Sequence, residues 1–135
     1  MKDFAEKYPK NIVITGEVNS VDEYLGKARI FISPLESGSG MKNKILQAMA
    51  AQLQVIGTTE SLSGFSNYNP QSVRVVRDIK SMLDEIELMH KMDHEQLSHL
   101  GKLNQKYFKE RYSWETVVNN YYSRIFGIVW DLNKS

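Results

Sequence analysis

Short apolar runs alternate along the chain with segments of helical periodicity. "NIVITG" (11–16) is β-branched and closes on glycine, which predicts a strand. In "SVDEYLGKA", Ser20 and Glu23 have capping-box spacing, and Val21, Tyr24 and Leu25 can share one helical face. "ARIFISP" (28–34) is apolar on both faces and stopped by proline, as expected of a strand covered on both sides and central in its sheet. From about Met41 to Ala51, Ile45, Leu46, Met49 and Ala50 recur at helical spacing. "LQVIGTT" (53–59) predicts a third strand, "SLSGFSNYNPQ" a loop, and the alternating "SVRVVRD" (72–78) a fourth strand. Asp78 can cap a helix through about His90, with Met82, Ile86 and Met89 inward. Asp93 with Gln96 starts another helix to about Arg111, and Ser113 a last one through Trp130.

This order, with short connections, predicts a single α/β domain over 1–135. Its fold class is Rossmann-like, three-layer αβα, with a mainly parallel sheet of about four strands. Ligands bind such sheets at the carboxyl ends of the strands. The turn 35–40, "LESGSG", leaves the strand 28–34 and enters the helix that carries Lys42 and Lys44. Its glycines allow close approach of backbone, and the helix start offers free N–H groups to an anion. It is neither a P-loop nor a dinucleotide fingerprint. On spacing alone, a phosphate cradle and a plain turn both stand.

Composition narrows the classes. A net charge of +1 over 135 residues leaves no footprint for nucleic acid or a lipid surface. Without cysteine there is no disulfide or thiolate zinc site, which fits a reducing, cytoplasmic compartment. No run approaches a membrane span, and "MKDFAEKYPK" lacks the apolar core of a secretory signal. His90, His94 and His99 fit a solvated helix surface better than a metal site, since a helix break is expected near Asp93. No His–Asp pair lies near Ser37 or Ser39 to activate a hydrolase nucleophile. Glu36 reads as an exposed turn residue rather than a catalytic carboxylate.

The residues in order resemble the carboxyl-terminal, donor-binding half of GT-B glycosyltransferases, and most closely the retaining group 1 family (family 4). Gly16-Glu17-Val18 matches its "G-x-V", and Ala28 to Pro34 its "A-D-V-F-V-x-P" strand. Lys44 to Thr58 matches "K-I-L-E-A-M-A-A-G-L-P-V-V-x-T". Gly64-Phe65 matches its "G-L" or "G-F" loop, and Tyr112-Ser113-Trp114-Glu115 its "F-S-W-E". The resemblance implies a nucleotide-sugar donor, no obligatory metal or other cofactor, and electrostatic stabilisation of the leaving diphosphate. It implies that Gly38, Ser39, Gly40 and Met41 lie against the diphosphate with Lys42 and Lys44. It implies Gly16, Glu17 and Val18 beside the base, and Gln47 facing the ribose. Catalytic residues are not assigned.

The sequence departs from the family pattern in places. Ser39 and Gln47 stand where the family often carries two glutamates, and neutral Gln47 loses one acceptor toward a ribose diol. Gln52 stands where the family has glycine, so left-handed strain is expected there. The resemblance begins at about the third strand of the donor domain, without an acceptor domain. It therefore predicts a chain inactive alone, with an acceptor-domain polypeptide as one expected partner. It also leaves strands 11–16 and 28–33 with open edges and "NNYYSRIFGIVWDL" as an apolar last helix, which predicts a homodimer, the alternative being a monomer in which the two strands pair directly and the last helix folds back onto the sheet. The alternative function is a non-catalytic α/β remnant or partner subunit used for protein contact.

Overall fold

The computed structural model describes residues 6–7, 10–37 and 42–126, and for 121, 122, 125 and 126 the backbone alone. Three short apolar segments form one parallel sheet: β1 (Ile30–Ser33), β2 (Gln54–Thr58) and β3 (Val73–Val76), in the order β1-β2-β3. Phe31 pairs with Val55 and Ile32 with Ile56; Val55 in turn pairs with Val73 and Ile56 with Arg74. The helices are α1 (Asp22–Leu25), α2 (Lys42–Ala50), α3 (Ile79–His90), α4 (His94–Tyr112) and α5 (Trp114–Phe126).

The pleat of the strands sorts the core into two layers. Val55 and Val73 meet Ile45, Ala48 and Met49 of α2 and Tyr107 of α4 on one face. Ile56 and Val76 meet Met89 of α3 on the other, with Ile30, Met82 and Ile86 packed alongside. Helices thus cover both faces, and the Rossmann-like αβα class stands. The inward set Met82, Ile86 and Met89 on α3 is the one its periodicity predicts.

The sheet has three strands among the described residues where about four were expected. Residues 11–16 run without pairing, with Val13 81% and Ile14 47% exposed. Their β-branched character fits a pleated surface, but a strand exists only where a neighbour completes its ladder. A second expectation, that 28–34 is central, is also overturned. β2 holds the centre, and β1 has a neighbour on one side only among the described residues. Ile32, on this edge strand, is 37% exposed. Glu85 of α3 faces Arg74 of β3 at 3.4 Å. On the same helix Ile79 and Leu83 are exposed.

The helix boundaries follow their caps. Asp78 accepts from Ser81 N at 2.7 Å and Asp93 from Gln96 N at 2.8 Å, each in a closed capping box. Ser113 Oγ accepts from Thr116 N at 3.2 Å and starts α5. The expected Ser20–Glu23 box does not form. Val21 is the cap residue of α1, and Ser20 Oγ accepts from Asp22 N at 3.2 Å, a serine turn one position too early. The stretch of the last helix beyond Phe126 lies outside the described residues.

Helix α4 lies close to the end of α2. A Cβ on Gly101 would stand 2.1 Å from the Gln52 carbonyl oxygen, so only glycine fits. Gln52 itself has φ +62°, the left-handed strain expected from its glycine-type position. Gly101→Ala is expected to cost about 3 kcal/mol through overpacking. Gln52→Gly is expected to stabilise by roughly 0.5–1 kcal/mol, the relief of strain exceeding the glycine's extra chain entropy. Urea unfolding of the two variants beside the parent chain measures both.

Candidate functional site

All three strands point the same way, so their carboxyl ends share one rim. The loop 34–37 leaves β1, the loop 59–72 leaves β2, and Arg77 and Asp78 follow β3. The two loops are cross-linked beneath the rim by three hydroxyls. Ser33 Oγ donates to Ser61 Oγ at 2.9 Å, and Ser61 Oγ donates to the Ser33 carbonyl at 2.9 Å. Thr58 Oγ1 donates to the Leu35 carbonyl and accepts from Ser61 N at 3.1 Å. Each hydroxyl has one proton, and each proton has an acceptor.

At this rim α2 begins. Lys42, in its first turn, reaches across to the second loop: its ammonium nitrogen would stand 3.0 Å from a Cβ on Gly64, which has φ +90°. A side chain at Gly64 would be strained and would displace the ammonium. No carboxylate pairs with Lys42 among the described residues. Lys44 is exposed one residue before the buried Ile45. Gln47 is also exposed, while Ala48 and Met49 beside it are fully buried, so α2 keeps its polar positions outside.

Gly38, Ser39, Gly40 and Met41 lie outside the described residues. Gly16 has φ +63°. Glu17 and Val18 line a hollow of about 340 Å³ with Ser20, Glu23 and Tyr24, and none of the described residues 34–37 and 42–47 joins its wall. The structure thus brings Lys42 to the rim but does not unite it with 16–18. His90, His94 and His99 are exposed; His90 ends α3 and His94 begins α4, with the expected break between them.

One feature escaped the sequence. On the α3 side of the rim a crevice of about 310 Å³ opens between Glu36, Glu60, Arg77 and Asp78, over Pro34 and Met82. Each of its polar residues comes within a few positions of a strand's end, a signal that could have found it. Backbone and side-chain hydrogen bonds from Ser81 hold the Asp78 carboxyl below its usual range. Asp78 therefore stays a fixed negative charge at that side.

The loop after β2 rests on α4. Tyr107 OH donates to the Ser66 carbonyl at 2.8 Å, and Phe65 meets Tyr112 edge-on at 5.9 Å between ring centroids. Burial, reinforced by Tyr112, raises the Tyr107 pKa to about 12.

A parallel sheet clothed on both faces, its two loops locked at the carboxyl rim, defines a doubly wound α/β domain. The chain belongs to the glycosyl transferases group 1 family, whose sequence model matches residues 1–92. No curated protein and no solved structure matches the chain. No helix among the described residues is long and apolar enough to cross a membrane.

The Tyr107 shift gives a pH signature. The folded chain holds its phenolic proton to about pH 12 while the unfolded chain releases it near pH 10, so the stabilisation is full below about pH 10 and lost as pH rises toward 12. Tyr107→Phe is expected to cost about 1 kcal/mol at neutral pH for the lost hydrogen bond to Ser66. It is also expected to flatten the alkaline decline, read by urea unfolding from pH 8 upward.

Proposed function

We propose that this domain forms the donor site of a retaining glycosyltransferase and binds a nucleotide-sugar or nucleoside diphosphate. The diphosphate lies against 38–44, with Lys42 and Lys44 as its cations, Gly16, Glu17 and Val18 toward the base and Gln47 toward the ribose. The observation that carries the reading is the Lys42 ammonium, extended over Gly64 at the carboxyl rim with no carboxylate beside it among the described residues. Its chemistry needs no metal: the start of α2 and the two lysines offset the charge that develops on the leaving diphosphate.

These residues alone bind the donor without transferring its sugar. Retaining transfer needs an acceptor held against the donor carbon, and positioning is a large part of such catalysis. The described residues make a single α/β unit, and an acceptor-domain polypeptide would supply the second wall. Calorimetric titration with uridine and guanosine diphosphates and their sugars is expected to show binding to one of them. Lys44→Ala should weaken it by roughly 1.5–3 kcal/mol, the worth of one charge-assisted contact. An unchanged affinity would remove Lys44 from the site, and product formed by the chain alone would overturn the binding-only reading.

A second reading, a non-catalytic domain used for protein contact, has its own observation. Ile32 on the edge strand β1 and Ile79 and Leu83 on α3 are 37%, 78% and 59% exposed. Apolar surface beside an open strand edge favours pairing with another chain. Two copies related by a two-fold axis would close it. Light scattering over about a tenfold concentration range should then show a mass rising from 15.6 kDa toward twice that value. A constant mass speaks against the dimer.

A further inference from the structure

We infer that Ser61, with Ser33 and Thr58, is a positioning latch for the diphosphate side of the site, an inference that rests on the donor-site reading above. The latch lies at the junction of the two loops that border Lys42. Ser33 and Ser61 are 0% and 2% exposed, so their hydroxyls have no water to replace a lost partner. Ser61 joins both strands at once. Its hydroxyl exchanges hydrogen bonds with the Ser33 hydroxyl and carbonyl at the end of β1. Its backbone N–H binds Thr58 Oγ1 at the end of β2, and that same hydroxyl holds the Leu35 carbonyl. Leu62 N–H then returns to the Thr58 carbonyl at 3.1 Å, which closes the loop into a tight turn. Gly64, two residues on, is the floor beneath the Lys42 ammonium.

The loop after β1 and the loop under the lysine are therefore tied to each other twice. Residues 34–37 are held through Ser33 and Leu35, and the floor for Lys42 is held through Ser61. Loss of the Ser61 hydroxyl would leave the Ser33 hydroxyl and carbonyl unpaired and free the loop 34–37 from the loop 58–65. The strands themselves would remain, because their ladder bonds do not pass through Ser61. A latch of this kind sets where the cations stand relative to a diphosphate, and it does not touch a base.

The test uses the full chain with Ser61→Ala, the isosteric Thr58→Val and its hydroxyl-keeping counterpart Thr58→Ser. Ser63→Ala is the control, since Ser63 Oγ donates to the Glu60 carbonyl at 2.8 Å at an exposed place in the same loop. Amide hydrogen exchange, without any ligand, is expected to quicken about tenfold at 34–37 and 58–65 in Ser61→Ala and Thr58→Val. It should stay unchanged in β3 and α4, and unchanged throughout in Thr58→Ser and Ser63→Ala. Calorimetry with uridine or guanosine diphosphate, whichever the parent binds, is expected to show about tenfold weaker binding in the first two variants. Affinity for the matching nucleoside, which has no phosphate, should hold within about twofold. Exchange at 34–37 that does not change overturns the latch, and so does equal loss of diphosphate and nucleoside affinity. A parent chain that binds neither diphosphate defeats the donor-site reading and with it the role in diphosphate positioning. Exchange then decides whether the two loops are coupled through Ser61.

Discussion

Burial of β2 on every side obliges its surroundings to satisfy its polar groups from within the protein. Strands flank it on both edges, helices cover both faces, and Val55 and Ile56 are fully buried. Water cannot serve as a partner there, and each polar group left without one would cost about 1–3 kcal/mol. The side chain of Gln54, 1% exposed, gives its amide to the Leu97 carbonyl. Asn104, also 1% exposed, donates to the Leu53 carbonyl at 2.8 Å and the Ser72 carbonyl at 3.1 Å, and accepts from Ser72 Oγ at 2.6 Å. These bonds fix α4 at the amino end of the sheet. Gly101 has to be glycine because the same helix is drawn so close to Gln52.

The same constraint acts at the other end of β2, with a different result. At the amino end it produces a rigid support far from the rim. At the carboxyl end it consumes the hydroxyls of Ser33, Thr58 and Ser61, which makes them unavailable to a ligand. What remains free to meet a ligand are the cations and backbone above them. The division of labour follows from burial: hydroxyls inside hold the loops, and lysines outside face solvent. Lys42 gains its position from the loop floor at Gly64, and that floor gains its position from the buried hydroxyls.

Much of the layering was legible in the sequence because it rests on short-range rules. Period-two and period-3.6 patterns find β2, β3, α2, α3 and α4, and the Asp78 and Asp93 caps fix two helix starts within a residue. The left-handed Gln52 was also legible, since the residue after a helix at a family glycine can hardly avoid that conformation. The failures share one cause. Residues 11–16 and the centrality of β1 depend on which strand has a neighbour, and an apolar run does not state its neighbours. Ser20 failed for a local reason, because a serine turn and a helix cap differ by a single residue of register. For the site, the two lysines at the start of α2 could be read from the turn before them. The crevice of Glu36, Glu60, Arg77 and Asp78 was missed: each residue's place after a strand end was there to read, but only the sheet order shows that the three ends meet.

The carboxyl rim is electrically divided, and that division bears on where an anion can sit. The crevice on the α3 side is lined by Glu36, Glu60 and the capped Asp78 together with Arg77, and Lys80 stands near Asp78. The α2 side carries Lys42 and Lys44 at the start of a helix, whose dipole favours an anion there. Two unit charges about 4 Å apart near a protein surface interact by roughly 4 kcal/mol, and salt screens them beyond about 8–10 Å. A diphosphate would therefore be repelled by one side and attracted by the other within a single ligand's length. Asp78 sharpens the contrast because its hydrogen bonds with Ser81 hold its carboxyl below the usual range. Neither Lys42 nor Lys44 has a carboxylate partner among the described residues. Of the two sides, that of α2 is the one whose charge an incoming anion would complete.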